Sequence, residues 1–207
     1  MQDQELKGSE ARLWGLIDQR TRPDADKPGL DARIWELFGD DWAIMFTDLA
    51  GFSRQTAEFG IIHFLQIIHE QKKLLLPLVA YHDGILVKIE ADSFLILFRK
   101  PSRALHAALA MQAECRRYNA DRLPEERVLL CLGIGYGRVL KIGDSDVYGA
   151  EVNAASKLGE DTAKANEILV TGSARAAMGE VPGITGYELI EETIPGSDQN
   201  FRVHYQL

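Results

Sequence analysis

Apolar residues in this chain come in segments of two different periods, and their order leaves few folds open. Trp42-Ala-Ile-Met-Phe-Thr47 is a short continuous apolar run, the signature of a buried strand, and it stops at Asp48. Residues 61–81 then place Ile61, Phe64, Leu65, Ile68, Leu75 and Val79 in a helical stripe. After a His82-Asp83-Gly84 turn, two β-rich runs, Ile85–Ile89 and Phe94–Phe98, flank Ala91-Asp92-Ser93 and predict a hairpin. Pro101 opens an alanine-rich helix to about Asn119, sitting where a missing N–H costs nothing. Val128–Ile134 reads as the next buried strand. A turn at 143–146, a helix over 150–160, and strands at Ile168–Thr171 and Phe201–Tyr205 follow. The order β-α-β-β-α-β, then further β and α, predicts an α+β sandwich with helices on one sheet face.

Residues 1–40 have a different character. Trp14, Leu16 and Ile17 lie in a short helical pattern, which the prolines and glycine of TRPDADKPG interrupt. Asp31 is placed to cap a second short helix through Trp35 and Phe38. The expected division is therefore an N-terminal helical arm over 1–40, packed on the core or on a partner, and one domain over 41–207.

The formal charge of −8 argues against a duplex-binding protein, which needs a basic face, so no nucleic acid is expected as a partner. It also means that an anionic substrate must be met by locally placed cations or metal. Cys115 and Cys131 form no CxxC pair, so a reduced, cytoplasmic setting without structural zinc is the simpler expectation. The longest apolar run, Leu74–Tyr81, is broken by Pro77 and is far too short for a membrane span. The N-terminus lacks the basic-then-apolar pattern of a signal peptide. The five histidines give no metal-like spacing, and no nucleophile–histidine arrangement can be assembled.

Asp48 ends a buried strand and is followed by Leu-Ala-Gly51, whose glycine lets backbone amides approach an anion. Alone, Asp48 and Asp92 fit ordinary strand-end and turn positions. As a pair they could hold Mg²⁺ against a triphosphate, because that ion favours one or two carboxylates plus phosphate oxygens. Around them stand longer patterns. Phe46-Thr-Asp48-Leu-Ala-Gly51-Phe52-Ser resembles the F-x-D-[IL]-x-G-F-[ST] signature of the class III adenylyl and guanylyl cyclases. Gly84-Ile-Leu-Val-Lys88-Ile-Glu-Ala-Asp92 is similar to that family's G-x-x-x-K-x-x-G-D, and Gly133-Ile-Gly-Tyr-Gly137 to its G-I-H-[ST]-G. Asp146-Val-Tyr-Gly149-Ala-Glu-Val-Asn153-Ala-Ala-Ser-Lys157 resembles D-x-x-G-x-x-V-N-x-A-[AS]-R, and Glu167–Thr171 resembles E-I-L-V-[ST]. Five motifs in one order are far more specific than any one of them.

The resemblance implies a ferredoxin-like βαββαβ core with added β and α elements. It implies closure of ATP to 3′,5′-cyclic AMP with pyrophosphate leaving, by two Mg²⁺ or Mn²⁺ ions per site. Asp48 and Asp92 match the metal aspartates, and Lys88 and Asp146 match the adenine-reading pair. Asn153 matches the ribose-orienting residue, and the amides of Gly51 and Phe52 match those holding the phosphates. In the family one chain supplies the metal aspartates and the other supplies the remaining groups, so a homodimer with shared sites is implied. Departures accompany the match. Lys157 stands where the family has its transition-state arginine, keeping the charge but losing the fork. Cys131 stands where a phosphate-binding arginine is usual, and the tail Thr193–Gln199 lacks the late lysine. Arg138, Arg54 and Arg99 are the candidate replacements, with Arg138 foremost as a substrate-binding residue. Ala91 replaces a glycine, and the short segment from Gly137 to Asp146 implies a reduced hairpin arm. Glu90 occupies a normally apolar place, and the expectation is that a local twist turns it to solvent rather than onto Lys88. Two alternatives stay open: a degenerate nucleotide-binding or dimerisation module, and a cyclase for GTP or a pyrimidine nucleotide.

Overall fold

The structure, a computed structural model, describes residues 8–207, with the side chains of residues 52–55 outside the described set. Strand β1 (Gly39–Leu49) sends Ala43, Met45 and Leu49 to one face and Trp42 and Ile44 to the other, and all five are buried. A strand covered on both faces has no reason to alternate polar and apolar residues, which explains its continuous run. Helices α3 (Phe52–Phe59) and α4 (Ile61–Tyr81) lead to the hairpin of β2 (Ile85–Glu90) and β3 (Ser93–Phe98). Helix α5 (Pro101–Asn119) and a 3₁₀ turn (Pro124–Glu126) return the chain to β4 (Leu130–Ile142). The sheet order through these strands is β2-β3-β1-β4, all antiparallel, which is the βαββαβ core.

The added elements extend this core at one edge. After β4 come β5 (Asp146–Tyr148), α6 (Ala150–Ser156), a π turn (Lys157–Thr162), β6 (Ile168–Thr171), α7 (Gly172–Met178), β7 (Ile184–Ile190) and β8 (Asn200–Tyr205). The described strands form one sheet in the order β2-β3-β1-β4-β6-β8-β7, with β5 pairing the end of β4. Helices α4, α5 and α7 cover one face through a cluster that includes Phe64, Ile67, Leu75, Leu105, Met111, Phe94, Phe98 and Ala174. This is the helix-covered face expected from the sequence, but it is not the only one, contrary to that expectation. Helix α6 lies on the opposite face, where Trp42, Ile44, Leu95, Leu97, Val139, Val147, Val152 and Ala155 make a second, smaller core.

The second face admits α6 because of the glycines of β4. A Cβ at Gly133 would stand 2.2 Å from the Ala155 carbonyl oxygen and 2.4 Å from the Gly159 nitrogen. At Gly135 it would stand 2.6 Å from the Glu151 carbonyl oxygen. Alternate glycines on one strand thus make a groove in which helix backbone lies on strand backbone. The Glu151 side chain lies along the same stripe, its Oε2 accepting from the Tyr136 amide at 3.1 Å and the Thr171 hydroxyl at 2.8 Å.

The N-terminal arm packs on this unit. Helix α1 (Ser9–Arg20) and helix α2 (Lys27–Phe38) bury Leu13, Leu16, Ile34 and Phe38 against Ile142. The cap of α2 is Asp26, which accepts from the Gly29 amide at 3.1 Å; the sequence reading chose Asp31. Asp31 lies inside the helix, where its carboxylate grips Arg20 of α1 through two bonds of 2.5 and 3.0 Å. The proline of Lys27-Pro-Gly sits in the first turn, so the helix starts earlier than a reading keyed to Pro as a breaker allows.

Gly133→Ala should lower stability by about 1–3 kcal/mol, because backbone atoms must move to admit the methyl group. Gly15→Ala, on α1 with nothing within 4 Å of the added carbon, should raise it by roughly 0.5–1 kcal/mol. Urea unfolding of both variants checks the contrast. Equal effects would show that β4 and α6 are not held as described.

Candidate active site

Antiparallel pairing brings the end of β1 beside the start of β3, with Thr47 opposite Phe94. Thr47 Oγ1 accepts from the Phe94 amide at 3.2 Å. Asp48, one residue past Thr47, therefore stands next to Asp92, two residues before Phe94 in the β2–β3 turn. Asp92 is only 8% exposed, and its Oδ2 is buried without a hydrogen-bond partner. Burial and then the neighbouring Asp92 charge push the Asp48 carboxyl up to about 7, with Glu160 adding to the effect. Burial moves Asp92 in the same direction. A buried and a half-buried carboxylate that repel each other, one of them with an unpartnered oxygen, fit a cation. Among the described residues no group of three or more His, Cys, Asp and Glu side chains could hold a metal alone. A cation here would need oxygens from elsewhere, which is how Mg²⁺ is commonly held.

Helix α3 opens at this point. Gly51 takes φ +91°, a left-handed conformation that suits glycine, and as the N-cap it offers the first amides of the helix no side chain. The side chains of Phe52 and Arg54 lie outside the described residues.

A second group forms farther along the same face. The β2–β3 register slips between Leu86 and Lys88, a bulge that leaves Lys88 opposite Leu95, whose side chain lies in the second-face core. The β4–β5 hairpin returns Asp146 to Lys88, at 3.2 Å. Glu90 is also ion-paired to Lys88, at 3.4 Å, while remaining 73% exposed. The expectation that Glu90 simply faces solvent is thus only half of what is observed. Burial opposes the charge of Lys88, but its bonds to Asp146 and Glu90 prevail and raise its pKa. The hairpin arm is short, as expected, turning at Gly143 with φ +55°.

Asn153 and Lys157 are one helical turn apart, and both are exposed. Lys157 marks the change from α to π geometry and is engaged by Asp161 at 2.5 Å. Glu160, on the same π turn, accepts from Ser93 Oγ at 2.5 Å and from Ser156 Oγ. Sequence reasoning passed over Glu160; the run Gly-Glu-Asp at the end of a helix offered only a weak signal. Cys131 pairs with Asp48 in the β1–β4 register, and burial, followed by the Asp48 charge, pushes its thiol up to about 12. That position therefore contributes no charge.

Two of the candidate replacement cations are not brought to the aspartates. Arg138, on β4 and seven residues from Cys131, lies in register with Asp41 of β1, and its guanidinium lies 5.3 Å from the Trp35 ring centroid. At about 3.3 Å per strand residue that separation is on the order of 20 Å. Arg99 bonds Asp40 at 2.6 Å and stacks 3.7 Å over Trp42, at the same distant end of β1.

A family profile described as the adenylate and guanylate cyclase catalytic domain matches residues 39–196. Among curated relatives, the chain is 28% identical over 161 residues to the serine/threonine-protein kinase pkn2 of Myxococcus xanthus, covering 78% of this chain and 19% of that protein. It is 32% identical over 117 residues to the putative adenylate cyclase 3 of Rhizobium meliloti (strain 1021), covering 56% of this chain and 20% of that protein. The chain thus spans about a fifth of the length of these two relatives. Among solved structures, that of the guanylyl cyclase Cya2 superposes with a TM-score of 0.66 at 18% identity, covering 80% of this chain and 92% of that one. No helix among the described residues is long and apolar enough to cross a membrane.

The raised Asp48 pKa predicts a pH effect in chelator-treated protein. The folded state holds a proton up to about pH 7, whereas an ordinary aspartate releases it near 3.8, so folded protein binds more protons between these values. Stability should therefore fall as pH rises through that window. Asp48→Asn should melt higher than wild type at pH 8, and the gap should close toward pH 4. A lower melting temperature for Asp48→Asn at pH 8 would contradict the assigned repulsion.

Proposed function

The chain belongs to the adenylate and guanylate cyclase catalytic domain family, and from that premise we propose that it converts ATP to 3′,5′-cyclic AMP and pyrophosphate at sites shared between two copies. The observation that carries the choice of adenine is the Lys88–Asp146 pair at 3.2 Å. A lysine ammonium donates to an acceptor ring nitrogen, and a carboxylate accepts from the 6-amino group. Guanine presents an acceptor at that position, opposite a carboxylate, and a buried mismatch costs about 1–3 kcal/mol.

In the reaction the ribose 3′-oxygen attacks the α-phosphorus, the bond to the β-phosphate bridging oxygen breaks, and the hydroxyl proton goes to solvent. Asp48 and Asp92 are the residues that would hold Mg²⁺ or Mn²⁺. Bound there, the ions would acidify the 3′-hydroxyl and neutralise the triphosphate. The amides at the start of α3, beyond Gly51, are suited to phosphate oxygens. Asn153 is exposed on α6 where it can orient a ribose from across an interface. Lys157, one turn on, would meet charge developing on the α-phosphate. Its present partner Asp161 is exposed, so a substrate can compete for the ammonium. A site split between chains is supported by the separate engagement of the two sets: Asp48 and Asp92 make no ion pair among the described residues, and Lys157 is held by its own helix.

Glu90 supports a second reading. Its 3.4 Å contact with Lys88 adds an acceptor beside the base-reading lysine, so a GTP or pyrimidine cyclase is the competing outcome. Incubation with each of the four nucleoside triphosphates and Mn²⁺ or Mg²⁺, with products read by mass, decides between them. Cyclic AMP as the main product is expected; cyclic GMP, a cyclic pyrimidine nucleotide or no product would overturn the proposal.

Two further outcomes follow from the shared site. Homodimers of Asp48→Asn and of Asn153→Ala should each lose about 10²–10³ in rate, the scale for one lost transition-state contact. Mixing them should restore activity, since one of the two heterodimer sites is intact; heterodimers without activity would rule the arrangement out.

Lys157→Ala should lower kcat much more than it changes KM, because the charge it meets exists only in the transition state. Steady-state kinetics at saturating metal checks this, and an unchanged kcat would assign the role to another cation.

A further inference from the structure

The turn that carries Asp92 is strained, and a buried side chain from a distant element holds it. Glu90 pairs with Ser93, so Ala91 and Asp92 are the two central residues of a tight hairpin. Ala91 has φ +52°, and Asp92 does not share the positive sign. A two-residue turn with positive φ only at its first central position ordinarily takes glycine there, because a Cβ is crowded in that conformation. Nothing in the hairpin's own sequence favours this geometry at alanine. The stabilising contact comes from α4. Gln71 is completely buried, and its Nε2 donates to the Asp92 carbonyl oxygen at 2.8 Å. Its Oε1 is buried with no hydrogen-bond partner. A buried amide with half of its bonding capacity unmet costs stability, and a well-packed apolar residue would avoid that cost. Gln71 stands among the apolar neighbours Ile67, Ile68 and Leu75 of the same helix, where such a residue would fit.

We propose that Gln71 is a positioning residue: by gripping the Asp92 carbonyl it keeps the Ala91–Asp92 turn in its strained form and so fixes where the Asp92 carboxylate meets a cation. The inference rests on the reading of Asp48 and Asp92 as the metal pair. Gln71 touches no substrate atom; it acts through the backbone of the residue that does. The same turn is held on its other side by Ser93 Oγ, which donates to Glu160 at 2.5 Å. The Asp92 backbone is therefore pinned from α4, and its neighbour from the π turn.

The test is a titration of the chelator-treated protein with Mn²⁺ alone, following the free-ion signal by electron paramagnetic resonance. Wild type, Asp92→Asn, Gln71→Met and Gln71→Met/Ala91→Gly are compared. Methionine keeps the length and volume of glutamine and removes both the donor and the orphaned oxygen, so melting should change little. Gln71→Met should bind Mn²⁺ about 10–100-fold more weakly, the range for lost supporting bonds around metal ligands. Adding Ala91→Gly should recover much of that loss, because glycine adopts the positive φ unaided. Gln71→Leu is titrated alongside, so that the outcome does not hang on the folding of one variant. Wild-type Mn²⁺ binding in Gln71→Met, or a loss that Ala91→Gly leaves untouched, would overturn the positioning role. If wild type and Asp92→Asn titrate alike, the failure lies instead with the metal-pair reading itself.

Discussion

Backbone-on-backbone contact between β4 and the α6–π segment is the constraint on which the rest of the site depends. It exists only because Gly133, Gly135 and Gly137 have no Cβ on that face, and Gly159 answers from the other side, its own missing Cβ lying 2.9 Å from the Gly133 nitrogen. This close approach sets the height of Asn153 and Lys157 above the sheet. It also brings Glu160 down to Ser93, beside the Asp92 turn. The opposite face is built differently, from large apolar side chains on long helices, and tolerates volume-conserving changes in the usual way. One face of the sheet is thus a store of stability and the other a template for polar groups. The carboxylates sit on the template side or at its edge.

The two aspartates are neighbours for a topological reason. In a β2-β3-β1-β4 sheet the end of β1 and the beginning of β3 must coincide, so a strand-end residue and a hairpin-turn residue far apart in sequence share one corner. That corner carries no cation among the described residues. The cations nearest in sequence logic are committed elsewhere: Arg99 to Asp40 and Trp42, Arg138 to the Trp35 ring, Lys88 to Asp146 and Glu90. The N-terminal arm takes part in this distribution of charge, since the Trp35 ring of α2 lies beside the Arg138 guanidinium.

Much of this was legible in the sequence. The core strands and helices follow from period and punctuation, because a run such as Trp42–Thr47 has no soluble alternative to burial. The order of the motifs carried Asp48, Asp92, Lys88, Asp146, Asn153 and Lys157 as candidates, and the fold brings Asp48 to Asp92 and Lys88 to Asp146. What was not legible depends on tertiary distance. Nothing local distinguishes Asp26 from Asp31 as a cap until α1 supplies Arg20. Nothing in Gly-Glu-Asp at 159–161 announces a π turn, because its cause is the glycine groove on another strand. Strand β7, with Gly186 at a register shift and mixed polar residues, has too weak a pattern to read. Gln71 carries no signal of its own within the apolar stripe of α4. Its meaning lies in the Asp92 carbonyl of the β2–β3 turn, which only the fold brings to it.

Under the proposed reading, the same placement of charge governs how a nucleotide enters. A triphosphate approaching the Asp48–Asp92 corner meets the half-buried Asp48, the buried Asp92 and Glu160 nearby, with Cys131 holding a neutral thiol at the place in register with Asp48. Without a counter-charge this encounter is repulsive, and the net charge of −8 offers no compensating long-range field. Protons can relieve the corner only up to about pH 7, which is where the Asp48 carboxyl is poised. Above that, cation and triphosphate must arrive together or in mutually dependent order, because each removes the repulsion that opposes the other. Coupled binding of metal and nucleotide is then a consequence of where Lys88, Arg99 and Arg138 are already engaged, and a weaker grip on Asp92 would loosen both at once.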